Sequence, residues 1–364
     1  MTQLLVAAGG GGDVIGTTLV HGAISGDEPA VVLSYSWERL VVDPIPGPRS
    51  GWDFTGLRPL TPHVSQITAD SAPIAPAGST LPRLAGDLPI TLGLLDPYDG
   101  VRGLARQIAE AVERYAVDEV KVVDVGGDVF ARGDEPTLLS PLPDAMVMAA
   151  CATAGVNAVL YLAGPGLDCE IPERDLAADL GDDSFALTEQ DTRRVDHVFD
   201  WHPSEASALL AAAARGLRGG CVVRDTGLAV ELSDVSARVY RISTERVLSR
   251  NRLARALHLS GNADLAGAER TSLEVCGFSE LQRERDRALL HGTGSPDGSV
   301  EHALRGVDSW LERLREEHRD AQYVTFRAAA EGLGLTGSAA QRLRTRLIRE
   351  RPRQYAPPLL ALTP

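Results

Sequence analysis

Short, unbroken apolar runs alternate with helix-spaced segments through the first two thirds of the chain. Leu4 to Ala8 is one such run, as expected of a strand covered on both faces. Four glycines follow, and Val14, Thr18, His21 and Ala23 then recur at helical spacing. A second apolar run at 30–36 completes strand, glycine turn, helix and strand, the βαβ unit of a parallel sheet. The theme returns with a strand at 90–96, a helix from Gly100 to Tyr115 and a strand at 119–125. Next come a helix after Ser140 (its expected N-cap, with Pro141 in the first turn) and the strand NAVLYLAG. An Ala-rich helix from near Ser204 to Gly216 and a hairpin at 221–232, turning at Asp225-Thr226-Gly227, close this part.

Two stretches break the pattern. Residues 44–88 are rich in proline and glycine and show little periodicity, which predicts a long loop excursion over one end of the sheet. Beyond Val239 the spacing is mostly helical, near 244–258, 264–291, 300–318 and 324–350, with a linker at 291–299. The pattern therefore predicts a doubly wound, mostly parallel α/β domain at 1–240 and a mainly helical part at 241–364.

Charge narrows the partners. The formal net charge of −14 has the wrong sign for nucleic acid or an anionic membrane as the main partner. Cys151, Cys169, Cys221 and Cys276 are widely spaced, a pattern of neither a disulfide framework nor a zinc site. With no signal-peptide pattern and no apolar stretch of spanning length, a cytoplasmic protein is expected.

Three strand ends share one grammar, an apolar run followed by glycines and carboxylates: GGGGD (Gly9, Gly10, Gly11, Gly12, Asp13), DVGGD (Asp124, Gly126, Gly127, Asp128) and GPGLDCE (Gly164, Gly166, Asp168, Cys169, Glu170). Ligands of an open parallel sheet bind outside the carboxyl ends of its strands, so the three turns are expected at one crevice. The first is neither a P-loop nor a clean dinucleotide fingerprint. Its glycines and helix N-terminus suit an anion, while Asp13 repels one; a Mg²⁺ held between Asp13 and a phosphate reconciles the two, and a tight turn capped by Asp13 is the bland alternative. Asp124 and Asp128 either hold a hard cation or supply a general base, or they satisfy turn backbone groups. Cys169 lacks any nameable His or Asn partner for nucleophilic work.

After the second strand, Trp37 suits stacking, Glu38 acid/base work or ribose hydroxyls, and Arg39 ligand contact; a surface Glu38–Arg39 pair beside a half-buried Trp is the alternative. His63 and His202 lie in loops and could act as general bases. From Tyr323 to Arg353 the chain is arginine-rich, with the helix–glycine turn–helix look of a DNA-binding hairpin. The acidic whole favours a different role for it, docking on the body or on another subunit of a homo-oligomer.

On VAAGGGGDVIGT, SWERLVVDPIPGP, DVGGDVFARGDEPTLLSPLPDA and GPGLDCEIP, in order over roughly residues 4–290, the chain resembles the domain of unknown function 1152 family. That family's last motif usually carries glycine between the acidic pair, where this chain has Cys169. The resemblance implies a Rossmann-like core with a site at the shared motifs, and it implies no reaction. The tail beyond Val300 falls outside it.

The expectation is an enzyme acting on a small polar metabolite, nucleotide- or phosphate-bearing, by hydrolase, lyase/cyclase or transferase chemistry ahead of redox. Asp13, Asp128, Asp168 and Glu170 would be catalytic, with Glu38 and His63 in support. Asp13, Asp124 and Asp128 would hold Mg²⁺. Gly9, Gly10, Gly11, Gly12, Trp37, Arg39, Gly126, Gly127, Gly164 and Gly166 would contact the ligand. The alternative is a ligand-sensing or scaffold protein with the arginine-rich helices as output.

Overall fold

The apolar runs become strands whose two faces are both covered. A computed structural model describes residues 1–224, 229–290 and 299–363. Gln3–Ala7 forms β1, and Gly11–Ser25 forms helix α1. Ala30–Tyr35 is β2 and Thr91–Leu95 is β3. Helix α2 (Gly100–Tyr115) leads to β4 (Val120–Val125), and α3 (Leu142–Ala154) leads to β5 (Ala158–Ala163). These five strands are parallel and lie in the order β5-β4-β1-β2-β3. Arg238–Ser243 pairs antiparallel with β5 and Ser65–Ile67 antiparallel with β3, and beyond them Ser184–Ala186 and Arg58–Pro59 pair antiparallel with these flanking strands.

Side-chain alternation splits the sheet's residues between two buried clusters. Leu4, Val6, Val31 and Leu33 pack with α2 and α3, whereas Leu5, Ala7 and Val32 pack with α1 and with helix α4 (Glu205–Ala214). Helix α2 shows the cause clearly: Val101, Leu104, Ala105, Ile108 and Ala111 form one buried stripe. Helix α4 starts where its sequence says, with Ser204 Oγ accepting the Ser207 N–H at 3.4 Å. Helix α3 does not. It begins at Leu142 with Pro141 as the preceding residue, because Ser140 is engaged elsewhere.

Order in 44–88 exceeds the expected loop. Ser65–Ile67 joins β3 at the sheet edge, Phe54–Thr55 pairs with Ala72–Pro73, and Leu81–Asp87 is a helix. The expected hairpin is present as β6 (Gly219–Val222) paired with Ala229–Leu232; its turn, Asp225-Thr226-Gly227, lies outside the described residues, as does most of the 291–299 linker.

The change of core falls later than residue 240. Helices Thr244–Arg250, Arg252–Ser260 and Leu265–Cys276 bury Val247, Leu253, Leu257 and Ala268 in the same cluster as the sheet. A third cluster begins at Val300. It unites helix α5 (Val300–Glu317), strand β7 (Ala321–Val324), helices α6 (Phe326–Gly332) and α7 (Gly337–Glu350), and strands β8 (Tyr355–Ala356) and β9 (Leu359–Ala361). Strand β7 pairs in parallel with β6, so this unit extends a five-stranded sheet begun by the main body.

The chain passes from β1 through α1 to β2 on one side, and later returns through α2 to β4 on β1's other side. The ends of β1 and β4 therefore diverge at the point where the winding reverses, where such sheets form their crevice. The glycines at this point are constrained by close approach. None of Gly9 to Gly12 has positive φ. A Cβ on Gly10 would lie 2.2 Å from the Trp37 carbonyl oxygen, and one on Gly11 2.6 Å from Thr80 Oγ1. Since a backbone carbonyl cannot rotate away, Gly10→Ala should cost about 2–3 kcal/mol. Gly306→Ala, mid-helix with open space around it, should instead gain up to about 1 kcal/mol. Denaturant unfolding of both variants checks the pair.

Candidate functional site

Carboxylates line the crevice from several elements. The cavity has a volume of about 520 Å³ and opens between the β1 and β4 ends, the loop after β2, the start of α3, the 167–170 loop and the start of α4. Asp13, in the first turn of α1, folds back so that Oδ2 accepts the Gly9 N–H at 2.8 Å. Asp124 ends β4 with its side chain buried, and Asp128 follows in a short 3₁₀ turn. Gly126 and Gly127 have φ of 125° and 119°, the left-handed region glycine permits. A Cβ on Gly126 would lie 2.3 Å from Asp168 Cγ, so the missing side chain lets Asp168 close on this turn.

Asp144, in the first turn of α3, completes the group. One oxygen each of Asp13, Asp124 and Asp144 lies within 4.8 Å of the others, a spacing one hard cation can bridge. Asp128 was expected in that role; it stands beside the trio, and Asp144 takes the third position. Nothing in the spacing of SPLPDAM marks Asp144, since an acidic residue in a helix's first turn is ordinary.

Burial and mutual repulsion set the electrostatics. Burial pushes Asp13 up to about 7, against the pull of the Gly9 N–H and the Arg39 charge. Burial and the Glu170 charge push Asp168 up to about 8. Asp124, Asp128 and Asp144 are raised well above the ordinary carboxylate range, first by burial and then by neighbouring carboxylates: Asp13 and Asp168 act on Asp124, Asp144 and Glu170 on Asp128, and Asp124 and Asp13 on Asp144. Asp124 Oδ2, Asp144 Oδ1 and Asp168 Oδ2 are buried without a hydrogen-bond partner. Such atoms call for a proton or a cation.

Other expected residues hold the walls in place. Glu170 accepts the Leu139 and Ser140 N–H groups at 2.7 and 2.8 Å and the Ser140 hydroxyl, so both its oxygens fix the loop before α3. Glu38 Oε1 accepts the Thr80 N–H at 2.7 Å and its hydroxyl at 2.6 Å, and burial raises its pKa. Trp37 is buried, edge-on to Tyr35, and its Nε1–H donates to Glu284. Arg39 donates to Ser140 Oγ at 2.8 Å and faces Glu280 and Glu284 at 3.7 and 3.8 Å. Helix Glu280–Leu290 also brings Arg283 and Arg287 to the cavity, which no sequence motif announced.

The glycines divide. Gly9, Gly10, Gly11 and Gly12 line the cavity, while Gly126, Gly127, Gly164 and Gly166 lie behind it, shaping turns joined by a Gly166 N–H to Gly126 carbonyl bond. Cys169 lines the cavity with φ of 68°, a conformation that suits glycine far better than a side chain. This gives a physical reason for glycine at that place in the family motif.

The two histidines also part. His63 lies at the sheet edge, half exposed, with Nδ1 2.5 Å from Glu110 Oε1, and the structure does not bring it to the cavity. His202 does line it. Its Nδ1 accepts the Ser204 N–H at 3.1 Å, which leaves the proton on Nε2, and Nε2 is buried without a partner. Burial and the Arg327 charge push its pKa down to about 3, so the ring is a neutral donor.

No curated protein and no solved structure matches this chain significantly. The model of one family, described as a protein of unknown function (DUF1152), matches residues 4–288, a span that holds every carboxylate of the cluster. The chain belongs to the DUF1152 family.

Proposed function

We propose that the crevice binds a divalent cation of the Mg²⁺ class together with a small polar metabolite bearing a phosphate, free or as part of a nucleotide. We read the protein as an enzyme of hydrolase, lyase/cyclase or transferase type. One observation carries this reading: buried, unpartnered carboxylate oxygens of Asp124 and Asp144 meet Asp13 at the winding reversal of the sheet. A cation there offsets the repulsion and polarises a ligand oxygen. Asp168, with its pKa raised to about 8, holds a proton near neutral pH and suits a general acid. Asp128 is the second acid/base candidate. The His202 Nε2–H donates to a ligand acceptor, and Arg283 and Arg327 supply positive charge in the walls.

The strand order supports a Rossmann-like reading of the core, with an antiparallel strand where that fold carries its sixth parallel one. Among the described residues no helix is long and apolar enough to cross a membrane; the proposal sets the protein in the cytoplasm. A second reading, a ligand sensor without turnover, is favoured by Arg327, which carries the C-terminal unit into the cavity wall.

Cation binding is testable without a substrate. Millimolar Mg²⁺ or Mn²⁺ should raise the melting temperature; a cation at about 100 times its Kd contributes about 2.7 kcal/mol. Asp144→Asn should abolish that shift while leaving the metal-free protein as stable or more so, because it removes one member of a repelling cluster. An unchanged melting temperature across Mg²⁺, Mn²⁺ and Ca²⁺ refutes the cation site. With the cation present, a screen of nucleotides and sugar phosphates should give a further rise, and silence across that set removes the phosphate assignment.

The pH dependence has a definite sign. Unfolded aspartates titrate near 4, whereas Asp13 and Asp168 are raised to about 7 and about 8 when folded, and Asp124, Asp128 and Asp144 are raised as well. The folded state thus holds more protons between those limits. Stability of the metal-free protein should be greatest near the acid limit and be lost as pH rises through about 7 to 8. Saturating cation should flatten or invert the slope, because its binding releases those protons. Melting curves in chelator and in Mn²⁺ between pH 5 and 8.5 read both.

A further inference from the structure

The C-terminal unit carries a surface that the cavity does not use. Its chain order is helix, strand, helix, turn, helix and hairpin, with β9 lying between β7 and β8. Helices α6 and α7 are joined by four residues, 333–336, among which Gly334 has φ of 75°. This is a helix-turn-helix with a hairpin behind its second helix.

Helix α7 has three faces. Ala339, Leu343 and Leu347 enter the unit's own core. Arg344 lies 4.5 Å over the Phe326 ring of α6 and reaches toward the main body, 3.7 Å from Asp200. Through Arg344 the basic helix meets the acidic body. The remaining face is exposed and carries Ser338, Gln341, Arg342, Thr345 and Arg349 at helical spacing, with no carboxylate among them.

Local charge reverses the argument from the whole chain. Residues 299–363 hold eleven arginines against eight carboxylates, whereas the protein as a whole carries −14. The excess is concentrated on α7 and the residues after it, where Arg342, Arg344, Arg346, Arg349, Arg351 and Arg353 face only Glu350 in sequence. Arg346 is neutralised by Glu350 and Glu301, and Arg351 by Asp308 at 2.7 Å. Arg342 and Arg349 lie on the exposed face, Arg342 hydrogen-bonded to Ser338 Oγ at 3.0 Å and Arg349 3.3 Å from Glu350 Oε1.

We propose that α7 is the reading helix of a DNA-binding unit and lays this face into the major groove of duplex DNA. The exposed side chains are those that groove recognition uses: Arg pairs with guanine, Gln with adenine, and Ser and Thr with either base or with phosphate. The deep, narrow major groove of double-stranded RNA does not admit a helix, so the assignment is to DNA. It rests on the C-terminal unit and is independent of the chemistry proposed for the cavity.

The test uses the full chain and fluorescence anisotropy with a pool of labelled genomic duplexes of about 25 base pairs. Saturable binding is expected at about 50 mM salt, weakening at least about tenfold at about 200 mM. Arg342→Ala with Arg349→Ala should weaken it at least about tenfold, and the Lys pair should restore part of the loss. Both residues are exposed, so melting temperature and the Mn²⁺ shift should be unchanged, separating lost binding from lost folding. Selection from a random duplex library should enrich a motif that Gln341→Ala alters. Absence of saturable binding at about 50 mM salt, equal binding by the alanine pair, or single-stranded RNA bound as tightly as duplex DNA overturns the proposal.

Discussion

Like charges gathered out of water are the constraint on which the site depends. Asp13, Asp124, Asp128, Asp144 and Asp168 come from four separate segments and meet in one crevice, with Asp124, Asp128 and Asp144 buried and Asp13 and Asp168 partly so. Hydrogen bonds satisfy some of their oxygens, as the Gly9 N–H does for Asp13 and the Glu170 N–H for Asp168. Others have nothing. A fold that aims unsatisfied carboxylate oxygens at one another gives up stability there, and a bound cation is the direct means of recovering it.

The surrounding architecture serves that convergence. The reversal of winding opens the crevice between β1 and β4, and the glycines bring its walls together. Gly10 admits the Trp37 carbonyl, Gly12 admits Ser204, and Gly126 admits Asp168. Glu170 and Glu38 spend their charge on loop N–H groups, so they position the walls. Glu280 accepts the Leu142 N–H at 3.2 Å and thereby ties a distant helix to the start of α3 beside Asp144.

Much of this was legible in the sequence because buried parallel strands leave unbroken apolar runs and their ends leave glycines. β1, β2, β4 and β5 were plain for that reason. The short strands of 54–73 were not, since two or three residues pair only when tertiary neighbours hold them. The three glycine–acid turns pointed to one place, and their glycines also make room for protein atoms, an effect that no spacing in the sequence reveals. Asp144 was hidden by its ordinary position in a helix. Between two loop histidines the sequence offered no choice, and only packing shows that His202 reaches the cavity while His63 pairs with Glu110. Averaged over the whole chain, charge concealed a cationic helix face that becomes visible once the C-terminal unit is considered by itself.

The most direct measurement of the central claim is anomalous diffraction from crystals grown with Mn²⁺. A peak is expected between Asp13, Asp124 and Asp144, within about 2.5 Å of an oxygen from each. Its contradiction would be a crevice without that peak, with the three carboxyl groups hydrogen-bonded to one another as neutral acids.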